Sequence, residues 1–150
     1  MTTSTTAIAI APPTTTTTTT LPAGGCADTP SGPTFPSVRC RLVALRDQVS
    51  GEPGLGSSAP KLEHTLDKAV ARLDDAKSHC TSAAGTKKAK SRVGQVKRAL
   101  IQYVPRLGAN SARKKLDPTL RQTFMAAGAA ITPDVTTLRA QLVCPVADAG

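Results

Sequence analysis

The sequence predicts an all-α fold, an antiparallel up-down four-helix bundle stapled by disulfide bonds. Apolar residues recur in steps of three and four along four blocks that follow Cys26. No run alternates with a period of two, and β-branched residues cluster only in the Thr-rich first 25 residues, so no sheet is expected. The connections, roughly residues 50–58, 81–85 and 109–116, are short, which favours helices that alternate in direction.

The chain divides into two parts by composition. Residues 1–25 contain 11 Thr, including the run Thr14 to Thr20, and no charged side chain. Such a segment has too few large apolar groups to offset its conformational entropy, so we expect a disordered Thr/Pro-rich linker. Residues 26–150 are the predicted helical bundle domain. No stretch approaches the roughly 18 apolar residues of a membrane span, so none is predicted.

The first two helices are defined by capping signals and apolar spacing. We expect helix one to be capped by Ser37 and stopped by Gly51. Its apolar stripe consists of Val38, Leu42, Leu45 and Val49. Helix two is expected to begin near Pro60, because a missing N–H is tolerated in the first turn. Its stripe consists of Leu62, Leu66, Ala69, Leu73, Ala76 and Cys80.

The last two helices each contain a proline. Helix three has Thr86 as a cap candidate and Gly108 as its stop, and Pro105 predicts a kinked or frayed end. Its stripe consists of Ala89, Val93, Val96, Leu100, Tyr103 and Leu107. Helix four opens at Asp117-Pro118, and Pro133 predicts either a kink or a split into two helices. Its stripe consists of Leu120, Phe124, Ala127, Ile131, Leu138 and Leu142.

Four cysteines are expected to meet at one end of such a bundle and to form two disulfide bonds. On a helical wheel Cys40 faces away from its stripe, towards the segment that holds Cys26, whereas Cys80 faces the bundle and the end of helix four. We therefore favour Cys26–Cys40 with Cys80–Cys144. The alternatives are Cys40–Cys80 with Cys26–Cys144, reduced buried thiols, or a zinc site that includes His79, for which the usual Cys spacing is missing.

The positive charge lies in one part of the chain. The net charge is +9, and residues 86–121 contain eleven basic side chains against one acid. On the helical wheel the cations of helix three spread over its whole non-core side. We interpret this part as a polyanion-binding face or, alternatively, as a solvated helix face. The candidate binding residues are Lys87, Lys88, Lys90, Arg92, Arg113, Lys114 and Lys115.

Nothing in the sequence indicates catalysis, a cofactor or a metal site. The two histidines, His64 and His79, lie fifteen residues apart on helix two, too far along one helix to share a site. No nucleophile, phosphate-binding or dinucleotide motif is present. With three aromatic residues in the chain, base stacking is not expected to support single-strand nucleic-acid binding. We therefore expect a protein that is not an enzyme.

The Thr run that closes in Leu21-Pro22, followed by Cys26 and a Cys-containing helix, resembles carboxy-terminal helical modules of large exported bacterial proteins. The resemblance covers the linker, Cys26 to Leu45 and the general helical layout. It implies a secreted or envelope-associated setting. The chain itself shows no basic, apolar export signal, so we expect it to be one module of a longer exported protein.

The leading hypothesis is a structural or adhesive module that binds acidic surface polymers through its basic face. The alternative is a cytoplasmic nucleic-acid-binding protein with reduced cysteines. Because the two differ in compartment, the state of the four thiols separates them.

Overall fold

The protein was examined as a computed structural model that describes residues 26–109 and 114–145. Over these residues the fold contains four α-helices and no strand. The helices are α1 (Phe35–Ser50), α2 (Ala59–His79), α3 (Thr86–Gly108) and α4 (Pro118–Gln141). The all-α prediction is confirmed for this part of the chain. The predicted linker, residues 1–25, lies outside it.

The N-cap of α1 lies three residues before the predicted cap, Ser37. Thr34 is the N-cap, and its hydroxyl accepts a hydrogen bond from the Ser37 backbone N–H. Ser37 is buried inside the first turn and accepts a hydrogen bond from the Gly32 N–H instead. The Ser37 cap prediction is therefore wrong, because the serine hydroxyl serves the preceding segment rather than its own helix. Gly51 ends α1 as predicted.

A short 3₁₀ segment, Pro53–Ser58, leads into α2. The Glu52 carboxylate accepts a hydrogen bond from the Gly54 N–H, and Leu55 is fully buried in the core. Gly56 has φ +48°, a left-handed conformation that favours glycine. The connection is thus an ordered part of the core. Pro60 lies in the first turn of α2, as predicted.

Neither internal proline ends its helix. α3 continues through Pro105 to Gly108, and α4 is one helix rather than two across Pro133. Both prolines are exposed. The carbonyls that lose their donors belong to Ile101 and Ala129, whose residues are also exposed, so water can satisfy them. The expected fraying after Pro105 does not occur, because Leu107 beyond the proline is fully buried.

The core lies between helices that are neighbours in sequence, α1 with α2, α2 with α3 and α3 with α4, and α1 also contacts α4. The predicted stripes of α1, α2 and α3 are buried apart from Cys80, which is half-buried. In α4 the prediction is partly wrong. Leu120 and Ala127 are half-buried, whereas Gly128 and Val135, which the stripe omitted, are buried. Leu55 and Leu116 add core side chains from outside the helices.

Candidate anion-binding surface and disulfide pairs

Two cysteine pairs lie at disulfide-bonding distance. Cys26 is joined to Cys40, with Cα atoms 5.8 Å apart, and Cys80 is joined to Cys144, with Cα atoms 4.9 Å apart. No cysteine is free. This pairing is the one that the helical wheel favours, because Cys40 faces the segment before α1 and Cys80 faces the end of α4. Cys40 lies in the second turn of α1, since the helix begins at Phe35.

The Cys80–Cys144 bond lies where three helices meet. Cys80 is the residue after α2, and Cys144 follows α4. The Cys144 backbone N–H donates a hydrogen bond of 3.3 Å to the hydroxyl of Thr86, the first residue of α3. The covalent bond and the hydrogen bond together hold the segment after α4 against the α2–α3 turn.

The charged side chains of α1 and α2 neutralise one another. Arg39 contacts Asp74 at 2.8 Å, and Arg46 contacts Asp67 at 3.3 Å. Arg46 also donates to Asp47, and this hydrogen bond raises the pKa of the guanidinium. These acids are therefore engaged locally and leave little negative field to offset cations elsewhere.

A half-buried ion pair connects the first and last helices. The Arg41 guanidinium contacts the Asp134 carboxylate at 2.6 Å and also donates to the carbonyl of Gly32. Arg41 thereby ties α4 and the segment before α1 to the same point on α1.

The predicted polyanion-binding residues do not form one cluster. Lys87 and Lys88 are exposed at the start of α3, and Lys90 is half-buried. Arg92 points towards α2, and its guanidinium lies 3.9 Å from the Asp75 carboxylate of that helix. It also donates a hydrogen bond to Gln95 of α3. The other predicted residues belong to the segment before α4. Lys114 and Lys115 are exposed there, Lys115 beside the turn that contains Gly56, and Arg113 lies outside the described residues.

A groove between α3 and α4 assembles a different set of cations. Its volume is about 820 Å³, and the residues that line it include five with cationic side chains: Lys87, Lys90, Lys97, Arg98 and Arg139. No acidic side chain is among the described residues that line this groove. We call these five cations and the groove they line the α3–α4 groove.

The groove brings together four of the cations that spread over the non-core side of α3. Lys87, Lys90, Lys97 and Arg98 lie within about 100° of one another on the helix, by the usual 3.6 residues per turn. Lys88 and Arg92 fall outside that sector. The separations are three residues from Lys87 to Lys90, seven from Lys90 to Lys97 and eleven from Lys87 to Arg98, so the sequence alone could have indicated this side of the helix. The binding residues predicted from the sequence did not include Lys97 and Arg98. The sequence did not predict that Arg139 lies beside these side chains, because it belongs to a different helix.

Gly94 lies in the floor of the groove beneath Arg139. A Cβ at Gly94 would lie 3.3 Å from the Arg139 Nε atom, a tight contact that a shift of a few tenths of an ångström would relieve. The Arg139 Nε–H donates a hydrogen bond of 3.2 Å to the Lys90 carbonyl. The missing side chain of Gly94 therefore lets a guanidinium from α4 lie across α3.

Other chemistry in the described residues is limited. His64 is exposed beside a cleft at the α2 start, and His79 is the last residue of α2, so the two histidines do not share a site. No group of three His, Cys, Asp or Glu side chains in the described ranges could hold a metal ion. None of the helices described has the length and apolar character that a membrane crossing requires.

The chain was compared with known proteins in three ways. No protein-family model, no curated protein and no solved structure matches it.

Proposed function

We propose that the chain is a structural or adhesive module of an exported or envelope-associated protein that binds acidic polymers through basic side chains. The proposal rests on one observation: some basic side chains form ion pairs with carboxylates, whereas others do not. The arginines of α1 and α2 contact carboxylates, whereas Lys87, Lys90, Lys97 and Arg98 make no ion pair within the described residues. Cations without local partners are available to an anionic ligand.

The two disulfide pairs support the exported setting. Disulfide bonds persist in oxidising compartments and are rare in the cytosol. Both pairs join segments outside the helices to helical residues or helix ends. A binding module exposed to proteases and changing conditions gains from such crosslinks, because its core contains few aromatic side chains.

We infer an antiparallel up-down topology for the bundle. Between α1 and α2, Arg39 contacts Asp74 and Arg46 contacts Asp67. A step of seven residues towards the end of α1 therefore corresponds to a step of seven residues towards the start of α2. Between α3 and α4, Thr86 contacts Cys144 and Lys90 contacts Arg139. These opposed registers support neighbouring helices that run in opposite directions.

The test uses the full chain produced in an oxidising compartment. Intact mass with and without thiol alkylation, followed by disulfide mapping, is expected to give Cys26–Cys40 and Cys80–Cys144 and no free thiol. The same protein is expected to bind immobilised dextran sulfate at low salt, to dissociate as salt rises, and to ignore uncharged dextran.

Two outcomes would overturn the proposal. Four free thiols in folded protein from an oxidising compartment would remove the support for export. Equal retention on charged and uncharged dextran would show that the cations are only a solvated surface. If the protein instead bound duplex DNA alone, with a steep salt dependence, the cytoplasmic nucleic-acid hypothesis would replace the proposal.

A further inference from the structure

We propose that the α3–α4 groove is the binding site and that its ligand is a linear acidic polysaccharide, a chain of carboxylated or sulfated sugars. This inference rests on the proposed function, since it names the site and the ligand class behind polymer binding. Lys87, Lys90 and Lys97 line one wall with Arg98, and Arg139 enters from the opposite helix. Among the described lining residues Arg139 is the one from α4, and it packs against Gly94 between the α3 cations, so the five cations lie along one continuous surface that an extended chain can follow.

The length of the groove suits an oligomer rather than a single ion. Its lining residues run along α3 from Lys87 to Ile101, which corresponds to about 21 Å at 1.5 Å per residue. The cations are distributed over that length and do not converge on one point. A repeating anion can therefore engage several of them at once, whereas a lone sulfate or phosphate meets one or two.

The composition of the groove argues against nucleic acid. Single-stranded nucleic acids are held largely by stacking of bases on aromatic side chains. None of the described lining residues is aromatic, and Tyr103 on the same helix is fully buried. A duplex is usually recognised by an element that projects into its groove, whereas here the cations line a recess between two helices. A flexible anionic chain needs neither stacking nor a projecting helix.

Gly94 is a structural signature of the site. Glycine inside a helix costs about 0.5–1 kcal/mol relative to alanine, so its presence in the middle of α3 calls for a reason. The Arg139 side chain packs directly against this glycine: a Cβ at Gly94 would lie 3.3 Å from the Arg139 Nε atom, whose N–H donates to the Lys90 carbonyl. Glycine at this position lowers the stability of α3 and leaves room for the Arg139 guanidinium on the floor of the groove.

The experiment compares two triple variants of equal charge. The groove variant combines Lys90→Gln, Lys97→Gln and Arg98→Gln. The matched control combines Lys88→Gln, Lys114→Gln and Lys115→Gln, three exposed lysines outside the groove. Affinity for size-defined polygalacturonate oligomers is measured by calorimetry, with neutral dextran oligomers as the blank and circular dichroism to verify folding.

We expect the groove variant to lose affinity roughly tenfold or more and the control to lose less than about threefold, because only groove cations contact the sugar chain. Affinity should rise with oligomer length until the oligomer spans about 21 Å. Gly94→Ala supplies a second variant that keeps the net charge. It should retain or gain stability and leave affinity nearly unchanged, because the exposed Arg139 side chain needs to shift by only a few tenths of an ångström.

The possible failures are distinguishable. If the unaltered protein binds no polyanion, the proposed function fails together with this inference. If it binds but both triple variants lose affinity equally, the groove assignment is overturned and polymer binding stands. If duplex DNA or vesicles of phosphatidylglycerol compete more strongly than polygalacturonate at equal charge, the polysaccharide assignment is wrong.

Discussion

At the scale of single residues, Gly128 of α4 packs directly against the ring of Tyr103 of α3. The Tyr103 side chain is fully buried, and a Cβ on Gly128 would lie 2.8 Å from its Cδ1 atom. Only glycine leaves room for the ring at this crossing. The Tyr103 hydroxyl is buried without a hydrogen-bond partner in the described part of the structure, a cost of about 1–3 kcal/mol.

We predict that Gly128→Ala lowers the free energy of unfolding by about 1–3 kcal/mol, because the added methyl overpacks the Tyr103 ring. Urea unfolding followed by circular dichroism measures the change. Gly108→Ala is the matched control, since no atom of the described residues lies within 4 Å of a Cβ there, and it should be neutral or slightly stabilising. Equal effects of the two substitutions would contradict the proposed contact.

Tyr103 also predicts a loss of stability at alkaline pH. Burial raises the pKa of its phenol above the usual value of about 10. Above pH 10 the unfolded chain releases this proton while the folded protein keeps it, so the unfolded state binds fewer protons and stability falls as pH rises.

Tyr103→Phe keeps the ring and removes both the unpaired hydroxyl and the proton. Its stability at neutral pH should equal or exceed that of the wild type. The difference between the two proteins should widen in favour of the variant from pH 9.5 to 11, as measured by urea unfolding at each pH. A constant difference over that interval would show that the phenol ionises equally in both states.

At the scale of elements, the start of α4 follows local capping chemistry. The Asp117 carboxylate accepts hydrogen bonds from the backbone N–H groups of Thr119 and Leu120, and Pro118 lies at the first helical position. The internal prolines Pro105 and Pro133 predict breaks from local chemistry, yet both helices continue. Burial of the residues beyond each proline, such as Leu107 and Val135, outweighs one lost backbone hydrogen bond.

We predict that Asp117→Ala costs about 1 kcal/mol of stability, because two N–H groups at the start of α4 lose their acceptor. Thr123→Ala serves as the control within α4, since its hydroxyl donates only to the exposed Thr119 carbonyl and its loss should change stability by less than about 0.5 kcal/mol. Thermal and urea unfolding of both variants measure the difference. A control loss as large as that of Asp117→Ala would argue against a capping role.

At the scale of the whole molecule, crosslinks compensate for a core of small aliphatic side chains. Tyr103 and Phe124 are the only aromatic side chains buried among the described residues. The two disulfide bonds close loops of very different length, with sequence separations of 14 and 64 residues. In the chain-entropy model these loops correspond to about 3 and about 4 kcal/mol of stabilisation.

We therefore predict that removing the Cys80–Cys144 bond is the more damaging change. The double variant Cys80→Ala with Cys144→Ala should lower the free energy of unfolding more than Cys26→Ala with Cys40→Ala, because it frees the longer loop and the chain after α4. Urea unfolding without reductant compares the two. The reverse order would show that the segment before α1 contributes more to stability than loop entropy indicates.

The sequence by itself determined the helices, the Asp117 cap, the Gly51 stop and the core stripes of α1, α2 and α3, whereas Thr34 and Gly85 are the N-caps in place of the predicted Ser37 and Thr86. These features depend on spacing within one helix, which a helical wheel represents directly. The favoured cysteine pairing followed for the same reason, since a wheel shows whether Cys40 or Cys80 faces inward.

Only the tertiary structure decided which charges lie together. Arg92 turns to Asp75 on α2, and Arg139 crosses from α4 to the side of α3 that holds Lys87 and Lys97. It also decided that Gly128 is buried against Tyr103. The physical reason is that the relative rotation and register of two helices depend on how all their side chains pack, which no pattern within either helix contains.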